Sequence, residues 1–313
     1  MARLLLVLGL CGVTALVIFV VVPLLESRRD SDLVGIDPDM VGIDPSAPIL
    51  VGAGDIAACD EGAESTARLL DQIDGTVITL GDNAYPDGSM AQFERCYEPT
   101  WGRHAERTRP AAGNHDYKTA DAADYFEYFG PSAGDPPRGY YTYEVSTWQI
   151  FVLNSACEQL EGGCGEDSPQ LQWLRSELEN TSSDCVLAYW HIPRFSSGRH
   201  GGANRVEAMF STLYDAGADV ALVAHDHHYE RFAPQNAEGE LDEAGGIRQF
   251  VVGTGGGSLY EINTPQANSE FRYNEGWGVL KVSLEPDAYA WEFIGVDDPD
   301  EPIDSGRSAC NSR

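Results

Sequence analysis

Four short apolar runs of this chain each lead to a residue that can bind a cation or carry a proton, and a fifth segment ends in the same kind of residue. Ile49–Ala53 runs into Gly54-Asp55, and Thr76–Leu80 runs into Gly81-Asp82-Asn83-Ala84-Tyr85. A third segment ends in Gly113-Asn114-His115-Asp116. Val186–Trp190 is followed by His191, and Val220–Ala224 by His225-Asp226-His227. Runs this short and this apolar read as strands buried on both faces, which requires a covering layer on each side of the sheet. In open α/β sheets ligand sites collect beyond the carboxyl ends of strands. A single Gly-Asp after a strand is an ordinary turn, with the Asp capping the next helix. Five such endings in one chain confine the fold to one that gathers strand ends around a site.

The stretches between these runs carry helical signals. Glu64–Ile73, Ser168–Glu179 and Val206–Tyr214 read as helices, the second with Ser168 as N-cap and Pro169 in its first turn. Tyr140–Asn154 reads as paired strands, as does Gly278–Leu284 with Tyr289–Ile294. The mixture predicts a layered α/β sandwich. Gly253-Thr-Gly-Gly-Gly257 lacks the Gly-Lys-Ser/Thr of a P-loop, so it is expected to be a tight loop only.

Leu4–Leu25 holds 22 residues without a charge. At 1.5 Å per residue that is roughly 33 Å, enough to cross a bilayer core. Residues 1–25 are therefore expected to be an uncleaved signal anchor, or else a cleaved signal peptide. Residues 26–47 read as an acidic linker, 48–297 as the catalytic domain and 298–313 as an acidic tail. Six cysteines lie beyond the apolar run, an even set that fits disulfides in an oxidising compartment. Cys157 with Cys164 is the one obvious local loop; Cys59–Cys96 and Cys185–Cys310 are taken for the rest. The chain has 20 basic and 50 acidic residues, a net charge of −30. Such a surface repels nucleic-acid backbones and anionic lipid, so no nucleic acid is expected as partner.

The ordered set GD, GDxxY, GNHD, H and HxH resembles the calcineurin-like metallophosphoesterases, and Tyr85 in the second motif resembles their purple acid phosphatase branch. The resemblance spans Pro48 to about Ile294 and implies a four-layer αββα sandwich of two mixed sheets, here preceded by an N-terminal hydrophobic helix. Two departures stand out. Ala224 occupies a position usually glycine, and Ala57 replaces the histidine of the usual Asp-x-His. The resemblance implies one metal ion held by Asp55, Asp82, Tyr85 and His227, and a second by Asp82, Asn114, His191 and His225, with Asp82 shared. A phenol titrates near 10, so its loss of a proton at working pH calls for a strongly acidic cation. Fe³⁺ is expected at the Tyr85 site, with Zn²⁺, Fe²⁺ or Mn²⁺ at the other.

The implied reaction is attack of water on a phosphoester, most simply a phosphomonoester, in an exported acid-phosphatase-type enzyme. The alternatives are phosphodiester hydrolysis and a surface protein that binds metal or phosphate without turnover. His115 is expected to face the substrate, Asp116 to orient His115, and His200 to serve as a second acid. Arg199 and Arg231 are read either as phosphate contacts or as surface ion pairs, and Asp226 and His228 as groups behind the ligands or in solvent rather than as ligands.

Overall fold

The computed structural model describes residues 44–311. The expected anchor at 1–25 and nearly all of the 26–47 linker lie outside them. Among the described residues no helix is long and apolar enough to cross a membrane.

Three strands open the domain: β1 (Ile49–Ala53), β2 (Thr76–Leu80) and β3 (Thr108–Ala111), side by side and parallel. The chain then builds a second sheet from β4 (Tyr141–Val145), β5 (Trp148–Val152), β6 (Cys185–Tyr189), β7 (Val220–Val223), β8 (Tyr229–Phe232), β9 (Arg248–Val252) and β10 (Ser269–Tyr273). It returns to the first sheet with β11 (Gly278–Leu284), β12 (Ala288–Gly295) and β13 (Asp304–Ala309). The orders are β13-β12-β11-β1-β2-β3 and β10-β8-β9-β7-β6-β5-β4. Both sheets are mixed: β1 pairs antiparallel with β11 and parallel with β2, and β9 pairs parallel with β7 and antiparallel with β8.

The helices are α1 (Glu61–Leu70), the short α2 (Met90–Gln92), α3 (Ala123–Phe129), α4 (Pro169–Asn180) and α5 (Glu207–Asp215). Asp60 caps α1 by accepting from the Gly62 N–H, so that helix starts three residues before the expected Glu64. Ser168 caps α4 as predicted, accepting from the Leu171 N–H.

The two-residue period of the strands sorts their side chains into two cores. Cys185, Leu187 and Tyr189 of β6, with Val220 and Leu222 of β7, face the first sheet. Val186 and Ala188, with Ala221 and Val223, face Leu171, Leu174, Met209, Phe210 and Leu213 of α4 and α5. Both faces of the second sheet are thus apolar, which is why its strands read as unbroken runs. The layers are helix, sheet, sheet, helix.

One expectation needs correction. The segment read as a polar tail, 298–313, contains β13, the edge strand of the first sheet. Asp304 at its start is buried and accepts from Tyr229 Oη, Arg231 Nε and Nη2, and Trp291 Nε1. A stretch of Asp, Ser, Gly and Arg carries no apolar alternation, so only these long-range partners make it a strand. All three expected disulfides are present: Cys59–Cys96, Cys157–Cys164 and Cys185–Cys310. The last closes the end of β13 onto β6.

Candidate metal centre

The first and second motifs sit at the ends of β1 and β2 and continue their pairing past the strands: Asp55 N–H donates to the Gly81 carbonyl and Ile56 N–H to that of Asp82. Asp55, Asp82 and His225 all have positive φ, at 60°, 53° and 72°. Left-handed backbone is sparsely populated by residues with a Cβ, though Asn, Asp and His tolerate it best. Three strained turns at three strand ends aim three functional side chains at one point, the pattern expected where strain serves a site.

Tyr85 Oη donates to Asp55 Oδ1 at 2.7 Å and lies 3.1 Å from Asp82 Oδ2 and 3.2 Å from His227 Nε2. His227 Nε2 is also 3.2 Å from Asp55 Oδ1. On the other side, His191 Nε2 is 3.1 Å from Asn114 Oδ1, 3.2 Å from His225 Nδ1 and 3.3 Å from Asp82 Oδ2. Asp82 Oδ2 therefore borders both groups, while Asp82 Oδ1 accepts the His115 N–H at 2.7 Å. All seven side chains expected as ligands are brought together in this way.

The donor set fits a cation. The Leu80 carbonyl, 2.8 Å from His191 Nδ1, can only accept, so Nδ1 carries the proton and Nε2 points its lone pair at an amide oxygen, a carboxylate and another imidazole. The Ser258 carbonyl does the same for His227 at 2.7 Å. Ligands about 2.1 Å from a shared ion sit roughly 3.0–3.4 Å apart, the spacing seen between these atoms. Among the described residues Asp82, His191 and His225 form such a cluster, their ligand atoms all within 4.8 Å of one another.

The two carboxylates and burial set how readily the imidazoles and the phenol bind protons. Burial disfavours the His191 cation, but the Asp82 and Asp55 charges outweigh it and lift the ring to about 9. Burial and the His191 charge push His225 down to about 3. Burial and both carboxylates drive the Tyr85 phenol well above its ordinary value, so it ionises only beside a strongly acidic cation.

The two departures from the usual motifs are absorbed by packing. Ala57 is fully buried and bridges to Ala84, while Tyr85 Oη reaches the Asp55 carboxylate. A Cβ on Gly54 would stand 2.5 Å from the Ala224 methyl, so glycine at 54 makes room for alanine at 224. The glycine-rich segment 253–257 supports the candidate ligands from behind. A Cβ on Gly253 would meet the Asp226 carbonyl at 2.2 Å and Asp55 Oδ2 at 2.8 Å.

Around the ligands, His115 turns Nε2 toward Asp82 Oδ2 at 3.8 Å and holds Nδ1 beside the Pro86 carbonyl and Lys118 Nζ, at 2.6 and 2.8 Å. Asp116 does not touch the His115 ring. It is fully buried and accepts from the N–H groups of Gly113, Asp82 and Asn83 and from Asn83 Nδ2, clasping two motif loops together. Burial and the Asp82 charge raise this carboxyl to about 7 against those donors. His200 is exposed, with its ring centroid 4.6 Å from that of His225. Arg199 lies over the Tyr260 ring, whereas Arg231 is paired with Asp304 and Glu270.

Sequence reasoning missed one residue and gave a second, Asp226, only a general place behind the ligands. Tyr260 stacks on His227 at 4.0 Å and 9°, from a loop with no motif to mark it. Asp226 accepts from Ser196 Oγ and from the N–H groups of His200 and Gly201, tying the His200 loop to the residue between His225 and His227. Trp190 is core, as expected.

Two mixed sheets between helices, with carboxylate, amide and imidazole donors at the strand ends, define an α/β metallophosphatase architecture. The model for calcineurin-like phosphoesterases matches residues 48–229, and the chain belongs to that family. It is 27% identical over 186 residues to an uncharacterized protein of Mycobacterium tuberculosis, a match covering 48% of this chain and 35% of that protein. It is 28% identical over 152 residues to an acid phosphatase of Aspergillus ficuum, covering 41% and 25%. The chain thus spans about a third or less of the length of these relatives. Among solved structures, the purple acid phosphatase PPD1 of yellow lupin (Lupinus luteus) aligns over 86% of this chain and 55% of its own, with TM-score 0.70 and 16% identity. GAP50, the anchor in the inner membrane complex of Plasmodium, aligns over 85% and 89%, with TM-score 0.64 and 16% identity. Both likenesses concern the fold.

Proposed function

We propose that this chain is an exported phosphomonoesterase of the purple acid phosphatase type, working with two metal ions. The observation that carries the reading is the meeting of two donor groups at Asp82 Oδ2. Tyr85, Asp55 and His227 lie on one side of it, and His191, His225 and Asn114 on the other.

The first group would hold Fe³⁺, since the Tyr85 phenol gives up its proton only to a strongly acidic cation, and the second a divalent Zn²⁺, Fe²⁺ or Mn²⁺. Bound there, the ions supply positive charge for the phosphoryl oxygens and acidify water. The protein's own part is positioning. His115 Nε2 is placed to hydrogen-bond a phosphoryl or leaving-group oxygen, its outer nitrogen being fixed beside Pro86 and Lys118. His200, carried over His225 by the loop that Asp226 holds, is placed for a second contact. In the net reaction water adds to phosphorus, the ester P–O bond breaks and the leaving oxygen takes one proton. Three disulfides favour an oxidising compartment, in line with export and with residues 1–25 as signal or anchor.

Purified protein assayed with p-nitrophenyl phosphate and bis(p-nitrophenyl) phosphate tests the reading. Faster turnover of the monoester supports it. A preference for the diester moves the assignment to phosphodiester hydrolysis, and hydrolysis of neither by metal-loaded protein overturns it.

A further inference from the structure

We infer that a pocket beside Asn114 is a leaving-group subsite, and that it selects phosphomonoesters whose leaving group carries a second anion, a carboxylate or a phosphate. The inference rests on the phosphomonoesterase reading. The pocket has a volume of about 190 Å³ and is lined among others by Asn114, Lys118, Ser155, Glu158, Ile192 and Arg205. Drug-sized ligands occupy roughly 300–1,000 Å³, so this space suits a small leaving group. Asn114 belongs to both the pocket and the ligand cluster, so the two are contiguous. Lys118 Nζ lies 2.8 Å from His115 Nδ1, which places the candidate proton donor at the pocket's edge, where a departing oxygen needs it. Of the larger clefts, the one between α4 and α5 is lined by no site residue, and one of about 410 Å³ is lined by Tyr85 alone of the seven candidate ligands.

Charge decides what the pocket prefers. The chain has two lysines against 50 acidic residues. Lys281 is held by Glu292 at 2.5 Å, a committed pair. Lys118 meets its carboxylate, Asp87, only at 3.9 Å, and Arg205 meets Glu158 only at 3.8 Å. Those two carboxylates are 57% and 83% exposed, so solvent already screens them. Two loosely paired cations beside a metal-binding cluster, on a surface that is otherwise strongly acidic, form a natural seat for a second anion while the phosphoryl group sits at the ligand cluster.

The test compares kcat/KM for glycerol 3-phosphate, 3-phosphoglycerate and propane-1,3-diol bisphosphate, with metal-loaded wild type, Arg205→Gln and Glu158→Gln. Wild type should prefer the doubly anionic substrates. Arg205→Gln should lower that preference by roughly three- to tenfold, and Glu158→Gln should raise it. Preference for the acid or for the bisphosphate identifies the anion, and either supports the subsite. Equal rates on all three substrates, or a preference unchanged in Arg205→Gln with wild-type thermal unfolding, overturn it. Turnover of p-nitrophenyl phosphate alone rejects the subsite and leaves the phosphatase reading standing. No turnover of any ester rejects both.

Discussion

Replacing Asp116 separates two roles for a residue next to His115. Its Oδ2 accepts from the N–H groups of Gly113 and Asp82 and from Asn83 Nδ2, and its Oδ1 from the Asn83 N–H. Asp116→Ala orphans three buried backbone donors, each costing about 1–3 kcal/mol and not fully additive, for roughly 3–6 kcal/mol in total. A domain of this size loses about 2–4 °C of Tm per kcal/mol, so the midpoint should fall by roughly 6–24 °C. Asp116→Asn can keep one oxygen on the three-donor side and sets an amide against the Asn83 N–H, so it should cost only about 1–3 kcal/mol. Because the clasp joins the Asp82 and Asn114 loops, Asp116→Ala should also lose bound metal. Thermal unfolding with metal analysis measures both. If Asp116→Ala keeps its metal and its Tm within about 2 °C while kcat alone drops, Asp116 acts through His115 and the clasp account is wrong.

Three other perturbations probe the geometry. His115→Ala should lower kcat by about 10²–10⁴-fold while metal content stays unchanged, and normal turnover would remove it from the chemistry. Asp226→Ala should raise KM with little change in metal content, because it frees the Arg199–His200 loop; an unchanged KM would count against Asp226 as that loop's anchor. Burial works to raise the Glu230 pKa, but His228, the Ser197 hydroxyl and N–H and the Ser269 hydroxyl hold it below its ordinary value. That depressed value stabilises the fold at pH above roughly 4.3 and is lost as pH falls through the folded value. Unfolding free energy measured against pH should therefore show a decline on the acid side that Glu230→Gln flattens, and equal slopes would contradict this.

The site is more legible in the sequence than the frame that holds it. Strand-end ligands advertise themselves because the apolar run before them and the metal-binding residue type after them are both local signals. Asp55, Asp82, His191 and His225 are all marked in this way, and the ordered set of motifs is what makes them candidate ligands. Asp116 is legible as a chemical residue but not in its role, because adjacency to His115 says nothing of where its carboxylate points. β13 reads as a tail because its partners, Tyr229, Arg231 and Trp291, are distant in sequence and its own residues carry no strand pattern. Tyr260 is invisible for the same reason: its stacking on His227 is set by a loop whose course depends on the glycine-rich segment behind the site.

The claim on which the function depends is that these seven side chains hold two cations with Asp82 between them. Elemental analysis of wild type and Asp82→Ala, purified alike and without chelators, measures that directly. The account predicts two ions per chain in wild type, iron among them, and fewer than one in Asp82→Ala. Two ions retained by Asp82→Ala, or none of any transition metal in wild type, would contradict it.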